Sequence, residues 1–190
     1  MFICNVAYKY TMDAYLAGLL YGDGTRNKGK NRAFAVWIDQ NNKNKEIVEE
    51  ATKKFEEHGL NVHQYGFLDK TRSLVYSKKM YMEFGNIRQK PIKFFKNLIK
   101  LDKWKFISGF FDAEGTVTDR VVIYNGDREL LEAISTFLEK EGMTCHIYNF
   151  GKIYGIQIYK RTSIRILEKN LCGIKIKKIY SLKLTNIADC

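Results

Sequence analysis

Two carboxylates, Asp23 and Glu114, hold the same place in two segments that are otherwise largely apolar. Each stands just before a closing glycine, in Leu16-Ala17-Gly18-Leu19-Leu20-Tyr21-Gly22-Asp23-Gly24 and in Ile107-Ser108-Gly109-Phe110-Phe111-Asp112-Ala113-Glu114-Gly115. Read as helices, both segments end on an acid, at the end where the helix dipole makes a carboxylate least welcome. If the two helices pack side by side, both acids meet at the bottom of the pair, and their repulsion calls for a cation. Hard divalent ions such as magnesium take oxygen ligands, so a metal is the partner such a pair would suit.

The elements that must bring the acids together are written in the same segments. Gly18 and Gly22, and Gly109 and Ala113, are small residues four apart, on one helix face, where they let two backbones approach closely. Gly24 and Gly115 are expected to supply left-handed C-caps.

The two segments resemble the paired motifs of the LAGLIDADG homing endonucleases, in the single-chain form that carries two motifs. In that family the last acid of each motif binds the catalytic metals, which falls here on Asp23 and Glu114. The carbonyl of the preceding residue often joins, which implies Gly22 and Ala113. Tyr21 replaces the first acid in copy one, whereas Asp112 keeps it in copy two, and no metal ligand is lost. The resemblance implies magnesium as cofactor, with manganese able to substitute, and a double-stranded DNA partner. It further implies a monomer with an internal pseudo-twofold, and an origin tied to a mobile intron or intein. With no splicing domain in the sequence, an intron-encoded or freestanding origin is expected.

Composition agrees with a nucleic-acid partner. The 32 Lys and Arg against 21 Asp and Glu leave a net charge of +11 on 190 residues, a potential that concentrates polyanions. Ribosomal proteins and membrane-surface binders share such a charge, but 14% aromatic and 45% hydrophobic residues argue for a packed globule rather than a basic tail. Cys4, Cys145, Cys172 and Cys190 form no CxxC pair or zinc spacing and read as free thiols in a reducing compartment. No apolar run approaches the ~20 residues that span a bilayer. The N-terminus lacks a signal-peptide pattern, so the expected location is intracellular: cytoplasm, nucleoid or organelle matrix.

The repeat extends beyond the motifs. The motif copies are offset by 91, from Leu16 to Ile107, but Asn42 aligns with Asn125, Gly59 with Gly142, His63 with His146 and Tyr76 with Tyr159 at an offset of 83. The difference places eight extra residues in copy one, most simply in a hairpin around Arg26 to Arg32. Motif helices over 12–22 and 103–113 are followed by a hairpin whose second strand alternates, with Phe34, Val36 and Ile38 on one face. Amphipathic helices follow at 43–58 and 126–141, with Asp127 as N-cap and Gly59 and Gly142 as C-caps. Strand pairs come next, at 61–67 with 73–77 and at 144–150 with 154–160, and short helices close the copies near 78–86 and 162–171. The expected fold is therefore α+β, with two pseudo-twofold-related αββαββα halves. Each half has a four-stranded antiparallel sheet, and together these form a DNA-binding saddle with the motif helices at the interface. Residues 1–86 make the first repeat, 87–102 a packed connector around Pro91, and 103–190 the second repeat, the halves sharing one core.

An open sheet face can enter a major groove, where base edges carry a unique code. Strand parity assigns Arg32, Ala35, Trp37, Tyr65, Leu74, Tyr76, Arg120, Val122, Tyr124, His146, Tyr148, Gln157 and Tyr159 to that face. Loop residues Arg26, Lys28, Lys30, Lys70, Arg72, Lys152 and Arg161 would reach phosphates, which position a protein without specifying sequence. Gln40 and its counterpart Asn125 match the family's polar residues around the metals, although each would also serve as a helix N-cap or a solvated amide. Lys90 and Lys177 follow the closing helices and are the lysines considered for polarising a water, while the run Lys175 to Lys178 reads as a solvated face. His63 and His146 read as sheet-face or core residues rather than general bases.

The expected function is a metal-dependent endonuclease making staggered double-strand breaks across the minor groove of a long asymmetric site. The rival is an intron maturase, or a sequence-specific binding protein on the same scaffold. A basic RNA-binding structural protein would leave the duplicated acid-glycine endings unexplained.

Overall fold

The computed structural model describes residues 11–29 and 33–180. Asp13 starts the first helix, its carboxylate accepting from the backbone N–H groups of Tyr15 and Leu16. That helix, α1 (Ala14–Asp23), runs into the hairpin of β1 (Gly24–Lys28) and β2 (Phe34–Asn41). A 3-10 turn over Asn42–Asn44 leads to α2 (Lys45–Glu57), then β3 (Val62–Phe67), β4 (Lys70–Tyr76) and α3 (Lys78–Gln89). The stretch 87–102 is itself largely helical: it holds the end of α3, then α4 (Pro91–Asn97) with its proline at the first helical position, then the start of α5 (Lys100–Glu114). Pro91, Phe94 and Phe95 are buried, and Phe95 packs against Phe106 and Phe137.

Copy two repeats the order with shorter hairpin arms, β5 (Gly115–Val117) and β6 (Val121–Asn125). Then come α6 (Arg128–Lys140), β7 (His146–Asn149), β8 (Tyr154–Ile158), α7 (Arg161–Asn170) and α8 (Ile176–Tyr180). Asp127 caps α6 by accepting from the N–H of Leu130, and Gly59 and Gly142 have left-handed φ of 71° and 84° after α2 and α6. The two antiparallel sheets have matching strand orders, β1-β2-β4-β3 and β5-β6-β8-β7. The fold is α+β, two αββαββα halves meeting along α1 and α5.

Alternation decides which face of each sheet is covered. Val36, Ile38, Ser73 and Val75 turn toward the helices, as do Val121, Ile123, Ile156 and Ile158, and all are buried. Ile47, Val48, Ala51 and Phe55 of α2 and Leu130, Leu131, Ile134 and Leu138 of α6 cover them. The motif helices lie in the middle. Leu16, Leu19, Leu20, Phe106, Phe110 and Phe111 are fully buried, each contributing about 1.5–3 kcal/mol of hydrophobic stabilisation.

Small residues set how close α1 and α5 come. A Cβ at Gly18 would collide with the carbonyl oxygen of Phe106, and one at Gly109 with that of Tyr15, so each helix offers a glycine to the other's backbone. One turn on, a Cβ at Gly22 would collide with Cβ of Ala113. The closing glycines work differently from expectation. Gly24 (φ −73°, ψ 146°) and Gly115 (φ −82°, ψ 148°) are extended, not left-handed. Each motif helix turns directly into a strand, folding the glycine back over its own last turn. A Cβ at Gly24 would strike the carbonyl of Leu20, and one at Gly115 the ring of Phe111. Lack of a side chain, rather than a positive φ, is what the position demands. Among the described residues no helix is long and apolar enough to cross a membrane.

Candidate metal centre and nucleic-acid interface

Because α1 and α5 end at matching positions and touch through Gly22 and Ala113, their last residues, Asp23 and Glu114, come together where the two halves meet. Each acid is half-buried and takes a hydrogen bond from a side-chain amide of its own half. Gln40 Nε2 donates to Asp23 Oδ2, and Asn125 Nδ2 donates to Glu114 Oε1 at 3.1 Å. Strand parity explains the reach: Gln40 continues the helix-facing series Val36, Ile38, and Asn125 continues Val121, Ile123. Asn125 also accepts from the N–H of Asp127 at 2.9 Å, so it both braces the start of α6 and orients Glu114.

Burial raises the Asp23 carboxyl above its ordinary range, against the pull of Lys175 and Gln40. Burial likewise raises Glu114, and the charge of Asp23 adds to the effect. That mutual repulsion is what a cation would relieve. The oxygens available are hard donors: two carboxylates, each with one amide donor, and the neighbouring backbone carbonyls, a set that suits magnesium or manganese. Among the described residues no cluster of three or more His, Cys, Asp and Glu is placed to hold a metal, so an ion here would complete its shell from carbonyls, water or substrate phosphate.

A lysine sits at the centre that the sequence did not single out. Lys175 Nζ donates to the carbonyl of Gly115 at 2.8 Å and to that of Ala113 at 3.2 Å. Its partner in copy one is Arg88, in the last turn of α3, whose Nη2 donates to the carbonyl of Gly24 at 3.0 Å. Each motif helix thus has a cation at its closing carbonyls, where the helix dipole favours one. The lysines that the sequence points to lie elsewhere. Lys90 links α3 to α4, and Lys177 is exposed and 3.9 Å from Glu46. Nor is the run Lys175 to Lys178 wholly a solvated face, since Lys175 turns inward beside buried Ile176 and Ile179.

Asp112 explains where Lys175 points. Its fully buried carboxylate accepts from the N–H groups of Ile174 and Lys175, both at 2.6 Å, and from the hydroxyl of Tyr15 at 2.7 Å. Burial raises this carboxyl and also pushes the hydroxyl of Tyr15 up. In copy one the corresponding Tyr21 donates instead to Asp127, at 2.7 Å, tying α1 to the cap of α6.

Each sheet also has an uncovered face. Ala35, Trp37 and Tyr76 lie on one, with Tyr65 44% and Tyr76 58% exposed, and Tyr124, His146, Tyr148, Gln157 and Tyr159 lie on the other, His146 stacking on Tyr159. Leu74 and Val122 share that parity but are 7% and 4% exposed, so they form its floor. Thr25, Asn27 and Thr116 also face this way and are exposed. The polar sequence of β1 has no apolar alternation from which its parity could be read.

Several basic residues are placed otherwise than as free loop cations. Arg26 pairs with Val36 on the helix side of β1, where it donates to the carbonyl of Tyr81, lies over the Tyr81 ring and fills the space left by Gly85. Arg72 belongs to β4, because that strand begins at Lys70, and is held by both carboxylate oxygens of Asp39 over the rings of Trp37 and Phe67. Arg161 is the first residue of α7 and half-buried, whereas Arg120 pairs with adjacent Asp119 at an exposed turn. Lys28, Lys70 and Lys152 are exposed at strand ends and turns. Lys30 and Arg32 lie outside the described residues, as do Cys4 and Cys190; Cys145 and Cys172 are free thiols.

Comparison with known proteins agrees with this geometry. Residues 103–172 match the model of a LAGLIDADG-like domain. A structure of I-DmoI in complex with DNA and Mn superposes with a TM-score of 0.68 at 25% identity, covering 85% of this chain and 97% of that one. A complex of I-DmoI with DNA and Ca gives 0.68 at 25%, covering 86% and 90%. Full-length DUF199/WhiA from Thermatoga maritima shares the fold, with a TM-score of 0.61 at 11% identity over 94% of this chain and 62% of that one. In sequence, an uncharacterized protein of Methanocaldococcus jannaschii, MJ0314, is 28% identical over 153 residues, 71% of this chain and 56% of that protein. The chain thus spans about half the length of that relative.

Proposed function

We propose that this chain, with its two-motif, single-chain LAGLIDADG architecture, is a site-specific endonuclease of double-stranded DNA. It hydrolyses phosphodiesters at staggered positions across the minor groove of a long asymmetric site, acts as a monomer and uses magnesium. One observation carries the reading: Asp23 and Glu114 end adjacent helices, each oriented by an amide from the sheet of its own half. A single chain supplies both acids, so a monomer completes the centre.

Asp23 and Glu114, with the carbonyl of Gly22, would hold the divalent ion. When bound, that ion supplies an activated water, neutralisation of phosphate charge and a stabilised leaving oxygen. Gln40 and Asn125 fix the carboxylate rotamers and leave the remaining oxygens directed at the substrate. Exposed lysines such as Lys28, Lys70 and Lys152 position the duplex through phosphates, while Trp37, Tyr65, Tyr76, Tyr124, Tyr148 and Gln157 meet base edges. The DNA complexes of I-DmoI, at 25% identity over nearly its whole chain, support a duplex as substrate.

Incubation of the protein with a randomised duplex library in magnesium, followed by sequencing of the cut ends, tests the reading. Discrete staggered cuts are expected from the parent, and none from the Asp23→Asn, Glu114→Gln double variant. Duplex binding without cleavage by either protein would instead assign the scaffold to a binding protein or maturase.

A further inference from the structure

Lys175 is more than a helix cap. Two of its three N–H donors are taken by the carbonyls of Gly115 and Ala113, and Ala113 O is the copy-two counterpart of the Gly22 carbonyl. The ammonium is set in place by the fold. The backbone leading into it is fixed by Asp112 through the N–H groups of Ile174 and Lys175, and by Ser108, whose Oγ accepts from the N–H of Cys172 at 3.0 Å. Gly173 packs so closely on the Asp112 carboxylate that a Cβ there would collide with it.

Copy one does not reproduce this arrangement. Arg88 reaches only the closing carbonyl of Gly24, and its guanidinium lies 5.0 Å from the Phe84 ring. The two motif ends therefore differ in a way their sequences do not show: one carries an ammonium on the carbonyl that precedes its acid, and the other is engaged one step further out.

We propose that Lys175 is a resident cation of the acid pair, which occupies the copy-two end and directs a divalent ion to the copy-one end at Gly22 and Asp23. The centre is then electrostatically asymmetric, and its metal affinity is set below what two uncompensated carboxylates would give. The inference rests on the reading of Asp23 and Glu114 as metal ligands.

Calorimetric titration of the metal-free protein with Mn2+ tests it without reference to cleavage. Lys175→Met is expected to bind Mn2+ about fivefold more tightly or better, the scale of removing one unit charge a few ångströms away. Lys175→Arg and Lys177→Met are expected to stay within about twofold of the parent, since the first keeps the local charge and the second removes an exposed lysine elsewhere. If Lys175→Met fails to fold, Lys175→Gln provides the same comparison, with a neutral donor left for the carbonyls. Parent-like or weaker Mn2+ binding by the neutral variant would overturn the proposal. An equal gain from Lys177→Met would also overturn it by reducing the effect to net charge. Loss of binding in the Asp23→Asn, Glu114→Gln variant separates the two claims: if that variant binds Mn2+ like the parent, the acid-pair reading itself fails.

Discussion

Tyr15 on the first motif helix donates its hydroxyl to Asp112 on the second at 2.7 Å, closing a buried bond between the two copies. Asp112 is 0% exposed, and its other partners are the N–H groups that hold Ile174 and Lys175, so the bond joins the core to the segment that aims the lysine. Replacing Tyr15 with Phe removes one donor from a buried carboxylate, at a cost of about 1–3 kcal/mol. Thermal melting is expected to fall by about 2–4 °C per kcal/mol for a chain of this size. A variant melting with the parent would show that the bond is energetically idle.

The crossing of α1 and α5 depends on the reciprocal contacts of Gly18 with Phe106 and of Gly109 with Tyr15. Alanine at either position should gain about 1 kcal/mol of helix propensity. It should lose more than that, because a methyl group against a backbone carbonyl cannot escape by changing rotamer. A net loss of about 2 kcal/mol or more is expected in urea unfolding of each variant. Stabilisation by either alanine would mean that the helices can separate freely.

Burial raises both Asp23 and Glu114. A carboxyl raised in the folded state makes the folded protein relatively more stable at low pH, and that advantage is lost as pH rises from the unfolded value through the folded one. At neutral pH the metal-free protein therefore carries two unfavourable charges, and the Asp23→Asn, Glu114→Gln variant should melt a few degrees above it. The gap should close as pH falls below the ordinary carboxylate range. A double variant less stable than the parent at neutral pH would contradict this ordering.

Salt dependence of duplex binding separates free from engaged cations. Lys28 and Lys152 are exposed, and replacing either with Ala should lower the slope of log K against log salt by about 0.9. Arg26 is committed to Tyr81 and Gly85, so its Ala variant should leave the slope unchanged. A slope that falls equally for Arg26 would place its guanidinium on the DNA.

Leu68, at the tip of the β3–β4 hairpin, has φ 54° and is 97% exposed, whereas the matching hairpin of copy two uses Gly151 at φ 85°. A left-handed conformation costs a residue with a Cβ about 1–2 kcal/mol, so Leu68→Gly should raise stability by about 1 kcal/mol in urea unfolding. A fall would show that the leucine side chain holds the turn.

The sequence made the acids and their helices visible because duplication wrote the same device twice, whereas Gln40 and Asn125 match through strand pairing, each two residues past the residue opposite its closing glycine. The alternation of β2 likewise gave the open face of Trp37 and Ala35. What it concealed depends on contacts between distant positions. Lys175 meets Ala113 only because the chain returns after α7 and is tied to Asp112. Its neighbours Lys177 and Lys178 make the run look uniformly solvated. Arg26 and Arg72 look like loop cations in sequence because a basic residue in a short polar stretch carries no mark of the ring or carboxylate waiting for it.

The most direct test of the acid pair as a cleavage centre uses the duplex recovered from the library selection. Binding and cleavage of that duplex by the parent, Asp23→Asn and Glu114→Gln should be measured side by side in magnesium. Both variants are expected to bind within a few-fold of the parent while cleavage falls by about a thousandfold or more, the scale expected when several kcal/mol of metal-assisted transition-state stabilisation is lost. Parent-like cleavage by either variant would contradict the account.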